Sequence, residues 1–122
     1  MSEKRVLIID DEESIRSILS DMLKIFGNEC DCMEDGESAV QHLSKNSPHY
    51  HAVFLDLHMP GIDGFETLRR IRSIDPDIPV YIVSGAGDTT QNDELIAIGA
   101  TGILPKPFRI KELQNILENL KV

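Results

Sequence analysis

Three aspartates and one lysine occupy positions at which charged side chains could do chemistry, because each stands at the end of a short apolar run: Asp10, Asp11, Asp56 and Lys106. A strand that is buried on both faces reads as an unbroken run of branched apolar residues, so a charge at its end marks the point where the chain leaves the sheet. Ser84 ends a further run of this kind. Polar strand ends that meet at one edge of a sheet would together form a site.

Carboxylates that lie close together repel one another, so their pKa values should rise unless a divalent cation holds them ionised. A site built from oxygen atoms favours Mg²⁺, which one or two carboxylates bind while water and substrate phosphate fill the other positions. A carboxylate can also act as a nucleophile towards phosphorus, and the charge that develops needs a cation and a neutral donor. Lys106 and the Ser84 hydroxyl would supply them, so the pattern favours metal and phosphate chemistry.

The elements that would position these residues alternate between strand and helix. Short apolar or mixed runs predict five strands, at Val6–Ile9, Glu29–Met33, Ala52–Leu55, Val80–Val83 and Ile103–Leu104. Apolar residues at helical spacing predict five helices, over Ile15–Phe26, between Gly36 and Pro48, and over Phe65–Ile74, Asp93–Ile98 and Ile110–Leu120. In the last helix we expect five residues to face inward: Ile110, Leu113, Ile116, Leu117 and Leu120. Loops are expected over His58–Gly64 and Gly85–Gly87.

This alternation predicts right-handed crossovers and a parallel sheet with helices on both faces. The first, third and fourth strands are uniformly apolar, whereas the second carries Glu29 and Asp31 and the fifth is short. Central strands should be the most apolar ones, so we expect a doubly wound, flavodoxin-like (βα)5 sheet with the strand order 2-1-3-4-5. In such a sheet the ends of strands one, three, four and five border one crevice.

The composition describes a single domain over residues 1–122, with 41% hydrophobic and 27% charged residues. The apolar runs are too short to cross a bilayer or to form a signal peptide, so we expect a cytoplasmic protein without membrane insertion. The net charge of −9 disfavours direct binding to nucleic acid. Cys30 and Cys32 are expected to be reduced. The four histidines show no spacing typical of metal ligands: His42, His49, His51 and His58.

Five motifs in order and spacing resemble the receiver domain of two-component response regulators. They are Asp10-Asp11-Glu12, the phrase from Leu55 to Gly64 around Asp56, Ser84-Gly85, Gly99-Ala100 and Lys106-Pro107-Phe108. The resemblance runs from Arg5 to Leu120 and is far more specific than any one of these motifs. It implies the same strand order that the apolar runs predict.

The resemblance also implies a function. Asp56 would accept a phosphoryl group from a phosphohistidine on a sensor histidine kinase or a histidine phosphotransfer protein. The Ser84 hydroxyl would bind a phosphoryl oxygen, and Lys106 would bridge to Asp56 or its phosphate. The peptide bond between Lys106 and Pro107 would be cis. The protein would then be a signalling phosphoacceptor, whose only enzymatic reactions are its own phosphorylation and dephosphorylation.

The magnesium site implied by the resemblance has four contributors. Asp11 would bind Mg²⁺ directly, Asp10 would bind it through water, and Asp56 and the backbone carbonyl of His58 would complete the protein ligands. The ring of His58 would take no part.

Two positions depart from the family pattern. Ile103 stands where the family usually has an aromatic switch residue, so the coupling between Ser84 and the fifth strand is expected to be weaker or built differently. Ser84 replaces the usual threonine, which removes a methyl group and keeps the donor. The resemblance implies an output surface formed by helix four, strand five and helix five, to which exposed residues of Ile96–Ile98 would contribute.

Several alternatives stay open at this point. Asp10 or Asp11 alone could cap the first helix, and Asp56 and Lys106 could form a purely structural ion pair. A flavin-binding protein is disfavoured, because the acidic residues after strand one would repel a phosphate. A phosphatase of the aspartyl-phosphate type is disfavoured because such enzymes usually place their nucleophile and acid in one D-x-D element after strand one, whereas here the metal carboxylates and the nucleophile lie on different strands. The strongest alternative is a receiver-like interaction module that signals without phosphorylation, for which Ile103 is the only sequence indication. The output partner is unknown.

Overall fold

The computed structural model describes residues 4–46, 50–85 and 92–120, in which strands and helices alternate. In chain order the elements are β1 (Lys4–Ile9), α1 (Glu13–Ile25), β2 (Asn28–Met33), α2 (Gly36–Asn46), β3 (Ala52–Asp56), α3 (Gly64–Ile74), β4 (Val80–Ser84), α4 (Asn92–Ile98), β5 (Gly102–Pro105) and α5 (Ile110–Asn119). Pro48, His49 and the expected loop beyond Gly85 lie outside the described residues.

The five strands form one parallel sheet in the order β2-β1-β3-β4-β5. This order confirms the doubly wound, flavodoxin-like arrangement. Ile9 pairs in register with Leu55, so the residues that follow them leave the sheet side by side. Asp56 pairs with Val83, and Ser84 with Pro105, which brings the ends of β3, β4 and β5 to the same edge.

Burial of the strands agrees with their places in the sheet. Every residue of β3 and β4 is buried, whereas β2 alternates between buried, half-buried and exposed positions. Side chains of successive strand residues point to opposite faces. Leu7 and Ile9 therefore pack with α2 and α3, while Val6 and Ile8 pack with α1 and α5. The two apolar layers fix the strand ends that carry the polar residues.

The expectation that Ile110 faces inward is wrong. Its side chain is 45% exposed, because it is the first residue of α5 and precedes the buried stripe that begins at Leu113 and continues to Leu117. Ile18 on α1 is similarly 46% exposed, whereas Leu19 next to it is buried. Among the described residues, no helix combines the length and the apolar character needed to cross a bilayer.

Candidate functional site

Three carboxylates meet at the carboxyl edge of the sheet. One carboxylate oxygen from each of Asp10, Asp11 and Asp56 lies within 4.8 Å of the others. Asp10 and Asp56 are buried, whereas Asp11 is exposed. The cluster is therefore held within the buried part of the fold and is open to solvent at Asp11. A site that receives a ligand from solution needs such an opening.

Asp10 is held at several of its atoms. Its backbone N–H donates to the Met33 carbonyl oxygen at 3.1 Å, which ties the end of β1 to the end of β2. Its Oδ1 accepts a hydrogen bond of 2.9 Å from the Glu12 N–H. Its Oδ2 is buried and has no hydrogen-bond partner among the described residues. Because a buried acceptor without a partner is costly, this oxygen fits a role as a ligand for a cation.

Burial shapes the protonation of the cluster more than mutual repulsion does. The pKa of Asp10 rises from 3.8 to about 6, chiefly through burial, while the hydrogen bond from the Glu12 N–H opposes the rise and the charge of Asp56 adds to it. The pKa of Asp56 is also raised by burial, against the opposing effects of Lys106 and of a hydrogen bond from the His58 backbone. The predicted direction is thus confirmed for these two groups, but repulsion between carboxylates is the smaller cause.

Lys106 brings a positive charge to the cluster. Its Nζ lies 3.4 Å from Asp56 Oδ1, and its side chain is 27% exposed. Its backbone N–H donates to the Ser84 carbonyl oxygen at 2.8 Å, and the following peptide bond to Pro107 is cis. Ser84 itself is buried at the end of β4, beside β3. The long contact between Lys106 and Asp56 leaves room for either group to turn towards a ligand.

The loop after β3 sets the position of Asp56. Gly64 begins α3, and its N–H donates to the Leu57 carbonyl oxygen at 3.0 Å. A Cβ atom at Gly64 would lie 2.8 Å from both the Asp56 carbonyl oxygen and the Leu57 Cα, so only glycine allows this approach. Asp63 caps α3 by accepting from the Glu66 N–H at 3.0 Å. These contacts explain why the loop ends in Asp63 and Gly64.

Sequence reasoning missed one residue next to the site. Arg16, the fourth residue of α1, donates from Nη1 to the Asp10 carbonyl oxygen at 2.8 Å. A cation this near the amino-terminal end of a helix is electrostatically unfavourable, and that was the available signal. At the predicted switch position, Ile103 is half-buried and packs against the apolar layer between the sheet and α3.

Comparison with known proteins gives consistent results. The family described as the response regulator receiver domain matches residues 6–118. The response regulator MprA of Mycobacterium sp. (strain KMS) is 33% identical over 89% of this chain and 46% of its own length. The probable transcriptional regulator ycf27 of Galdieria sulphuraria is 39% identical over 92% of this chain and 43% of its own. The chain thus spans less than half the length of these relatives.

A solved structure of similar sequence has the same fold over nearly all of this chain. A putative response regulator from Chloroflexus aurantiacus J-10-fl superimposes with a TM-score of 0.89 at 30% sequence identity. The superposition covers 98% of each chain.

Proposed function

Because this chain belongs to the family of response regulator receiver domains, we propose that it is a phosphoacceptor in which Asp56 takes a phosphoryl group from a phosphohistidine. The donor would be a sensor histidine kinase or a histidine phosphotransfer protein. One observation carries the proposal: the buried Asp56 carboxylate lies within 4.8 Å of two further carboxylates and 3.4 Å from the Lys106 ammonium group. A structural ion pair alone would not require Asp10 and Asp11 beside it.

The proposed reaction transfers the phosphoryl group between two protein side chains. A carboxylate oxygen of Asp56 attacks phosphorus and forms an O–P bond, while the P–N bond of the donor breaks and its electron pair returns to the ring nitrogen. The ring leaves as neutral imidazole when its other nitrogen carries a proton. Lys106 offsets negative charge on the transferred oxygens, and the Ser84 hydroxyl donates to one of them. The charges are thus positioned before the donor arrives.

The residues at the site fit Mg²⁺. Asp10, Asp11, Asp56 and the backbone carbonyl of His58 would hold it, and when bound it would neutralise charge on the carboxylates and the phosphoryl oxygens. The partnerless Oδ2 of Asp10 and the purely oxygen-based carboxylate cluster support this choice over softer metals. Asp10 would reach the ion through water, with Oδ2 as the acceptor, since Oδ1 accepts from the Glu12 N–H.

The proposed chemistry implies an output partner as well as a phosphoryl donor. Phosphorylation would alter the surface formed by α4, β5 and α5, where Ile96 is 48% exposed, and an output domain or protein would read the change. We expect the protein to work in the cytoplasm, without membrane insertion of its own. Its net charge of −9 disfavours direct contact with nucleic acid.

The proposal is tested by adding acetyl phosphate with and without Mg²⁺ and measuring the intact mass. We expect a single phosphoryl adduct that requires Mg²⁺, is absent from Asp56→Asn, and is retained by the matched variant Asp31→Asn, which changes an aspartate outside the site. Labelling of Asp56→Asn would show that another residue is the acceptor. If the wild-type protein took no adduct and did not bind beryllofluoride, a receiver-like module that works without phosphate would be the better interpretation.

A further inference from the structure

The turn that carries Asp10 and Asp11 is held by a side chain that the proposed reaction does not use. Arg16 donates from Nη1 to the Asp10 carbonyl oxygen at 2.8 Å, and its backbone N–H donates to the Glu12 carbonyl oxygen at 3.1 Å. The second of these is the ordinary first hydrogen bond of the helix, so the contact that depends on the arginine side chain is the one to Asp10. The other hydrogen bonds of Asp10 join its N–H to Met33 and its Oδ1 to Glu12. Arg16 therefore binds the remaining polar backbone group of Asp10, which is its carbonyl oxygen.

The placement of Arg16 runs against the usual preferences of a helix. The amino-terminal end of a helix carries a partial positive charge, which disfavours a cation close to it, and Arg16 is only the fourth residue of α1. The N-cap residue of α1, Glu12, makes no side-chain capping hydrogen bond, so the ordinary device for fixing this end of a helix is missing. The bond from Arg16 to Asp10 joins the helix to the turn in its place.

We propose that Arg16 is a positioning residue for the metal ligands: it fixes the backbone of the Asp10–Asp11 turn so that both carboxylates face Asp56. The inference rests on the proposed function, because it assumes the magnesium site. With the N–H, the carbonyl oxygen and Oδ1 of Asp10 all engaged, the residue has little freedom to rotate, and Oδ2 is left as the free acceptor. Residues that orient metal ligands through hydrogen bonds commonly affect affinity as much as some ligands do.

A purely electrostatic role for Arg16 would have the opposite effect on the affinity of the site for a divalent metal ion. The guanidinium lies close enough to the end of β2 to lower the pKa of Cys32 against the larger effect of burial. A guanidinium that is hydrogen-bonded to the Asp10 carbonyl oxygen would repel a divalent metal ion bound at the neighbouring carboxylates. If charge were its only influence, removing Arg16 would tighten metal binding, whereas loss of a positioning contact would weaken it.

The test measures the binding of Mn²⁺, used alone as a spectroscopic substitute for Mg²⁺, to the full chain by the electron paramagnetic resonance signal of the free ion. We expect Arg16→Met to weaken Mn²⁺ binding about tenfold. Arg16→Lys should recover most of the affinity, because its ammonium group can still donate to the Asp10 carbonyl oxygen. Lys24→Met is the matched control, since it removes a charge from the other end of α1, and it should bind Mn²⁺ like the wild type.

Melting temperatures without metal accompany each measurement, and Arg16→Ala, which likewise has no side-chain donor, replaces Arg16→Met with the same expectation should the latter not be folded. Wild-type or tighter Mn²⁺ binding by the folded neutral variant would overturn the proposal. So would equally weak binding by Arg16→Lys, or a wild-type protein that binds no Mn²⁺. A wild-type protein that binds Mn²⁺ but takes no adduct at Asp56 would contradict the proposed function and leave the role of Arg16 standing.

Discussion

Asp31 on β2 and Asp10 at the end of β1 lie on neighbouring strands, yet their carboxylate oxygens differ in how completely they are hydrogen-bonded. Both oxygens of Asp31 have strong partners, namely Arg5 Nη1 at 2.7 Å and the Tyr50 hydroxyl at 2.7 Å. Asp10 keeps one oxygen without a partner among the described residues, and the contact of nearby Asp56 with Lys106 is long, at 3.4 Å. A satisfied carboxylate stabilises a fold, whereas an unsatisfied one is available for a ligand.

The hydrogen-bond network around Asp31 extends to α2 through Tyr50 and His42. The Tyr50 hydroxyl donates to Asp31, so His42 Nε2, at 2.8 Å, must donate to the Tyr50 oxygen. Burial and the hydrogen bond to Asp31 raise the pKa of Tyr50 far above its usual range. These side chains join β1, β2, α2 and the start of the third strand. The comparison therefore separates a structural polar network from a functional one within the same half of the sheet.

The largest expected effect concerns the pH dependence of Asp10 in the metal-free protein. Its pKa is raised from 3.8 to about 6 in the fold, so its stabilising contribution is complete below pH 3.8 and is lost as the pH rises through about 6. The loss amounts to as much as about 3 kcal/mol, at about 1.4 kcal/mol per pKa unit. It is measured as the difference between the free energies of unfolding of the wild type and Asp10→Asn in the presence of a chelator. A difference that does not vary between pH 4 and 7 would remove the contrast with Asp31.

The next effect is the loss of stability in Asp31→Asn. The amide keeps one acceptor oxygen, so one of the two charged hydrogen bonds to Arg5 and Tyr50 is lost, at a cost of about 2 kcal/mol. Urea unfolding at pH 7 measures the change. Uptake of phosphate from acetyl phosphate should remain at the wild-type level, and a loss of uptake in the folded variant would mean that the two regions are coupled.

Magnesium should stabilise the protein through the cluster of Asp10, Asp11 and Asp56 and not through the network around Asp31. At a Mg²⁺ concentration ten times the dissociation constant, binding to the folded state adds about 1.4 kcal/mol to the free energy of unfolding. We expect this increment in the wild type and in Asp31→Asn, but not in Asp10→Asn. Thermal unfolding with and without Mg²⁺ tests it, and an equal increment in all three proteins would place the ion away from the carboxylate cluster.

The smallest expected effect is that of Tyr50→Phe. The change removes a hydroxyl that bonds to Asp31 and His42 while the ring stays in the apolar layer, so we expect a loss of about 1 kcal/mol. Chemical unfolding of the two proteins under the same conditions measures it. If the loss exceeded that of Asp31→Asn, Tyr50 rather than the charged pair would be the centre of the network.

Prediction from the sequence worked where a residue's environment depends on its own element. The uniformly apolar runs of β1, β3 and β4 identified the central strands, and the position of Asp56 at the end of such a run placed it at the edge of the sheet. The error at Ile110 arose because helical spacing does not show where a helix first meets its neighbours. The hydrogen bonds of Arg16 to Asp10 and of Tyr50 to Asp31 were missed because each joins different elements of the fold.

The sequence by itself determined the strand order, the residues at the strand ends and the family to which the chain belongs. These follow from local patterns, since burial on both faces, turn residues and motif spacing are all written along the chain. Only the tertiary structure decided which carboxylates are satisfied. The sequence places Asp10 at a strand end and Asp31 within a strand, but it does not show that Arg5 and Tyr50 satisfy Asp31 or that Asp10 Oδ2 is left without a partner. The protonation of the site is decided at the same level, because burial outweighs repulsion in raising the pKa of Asp10.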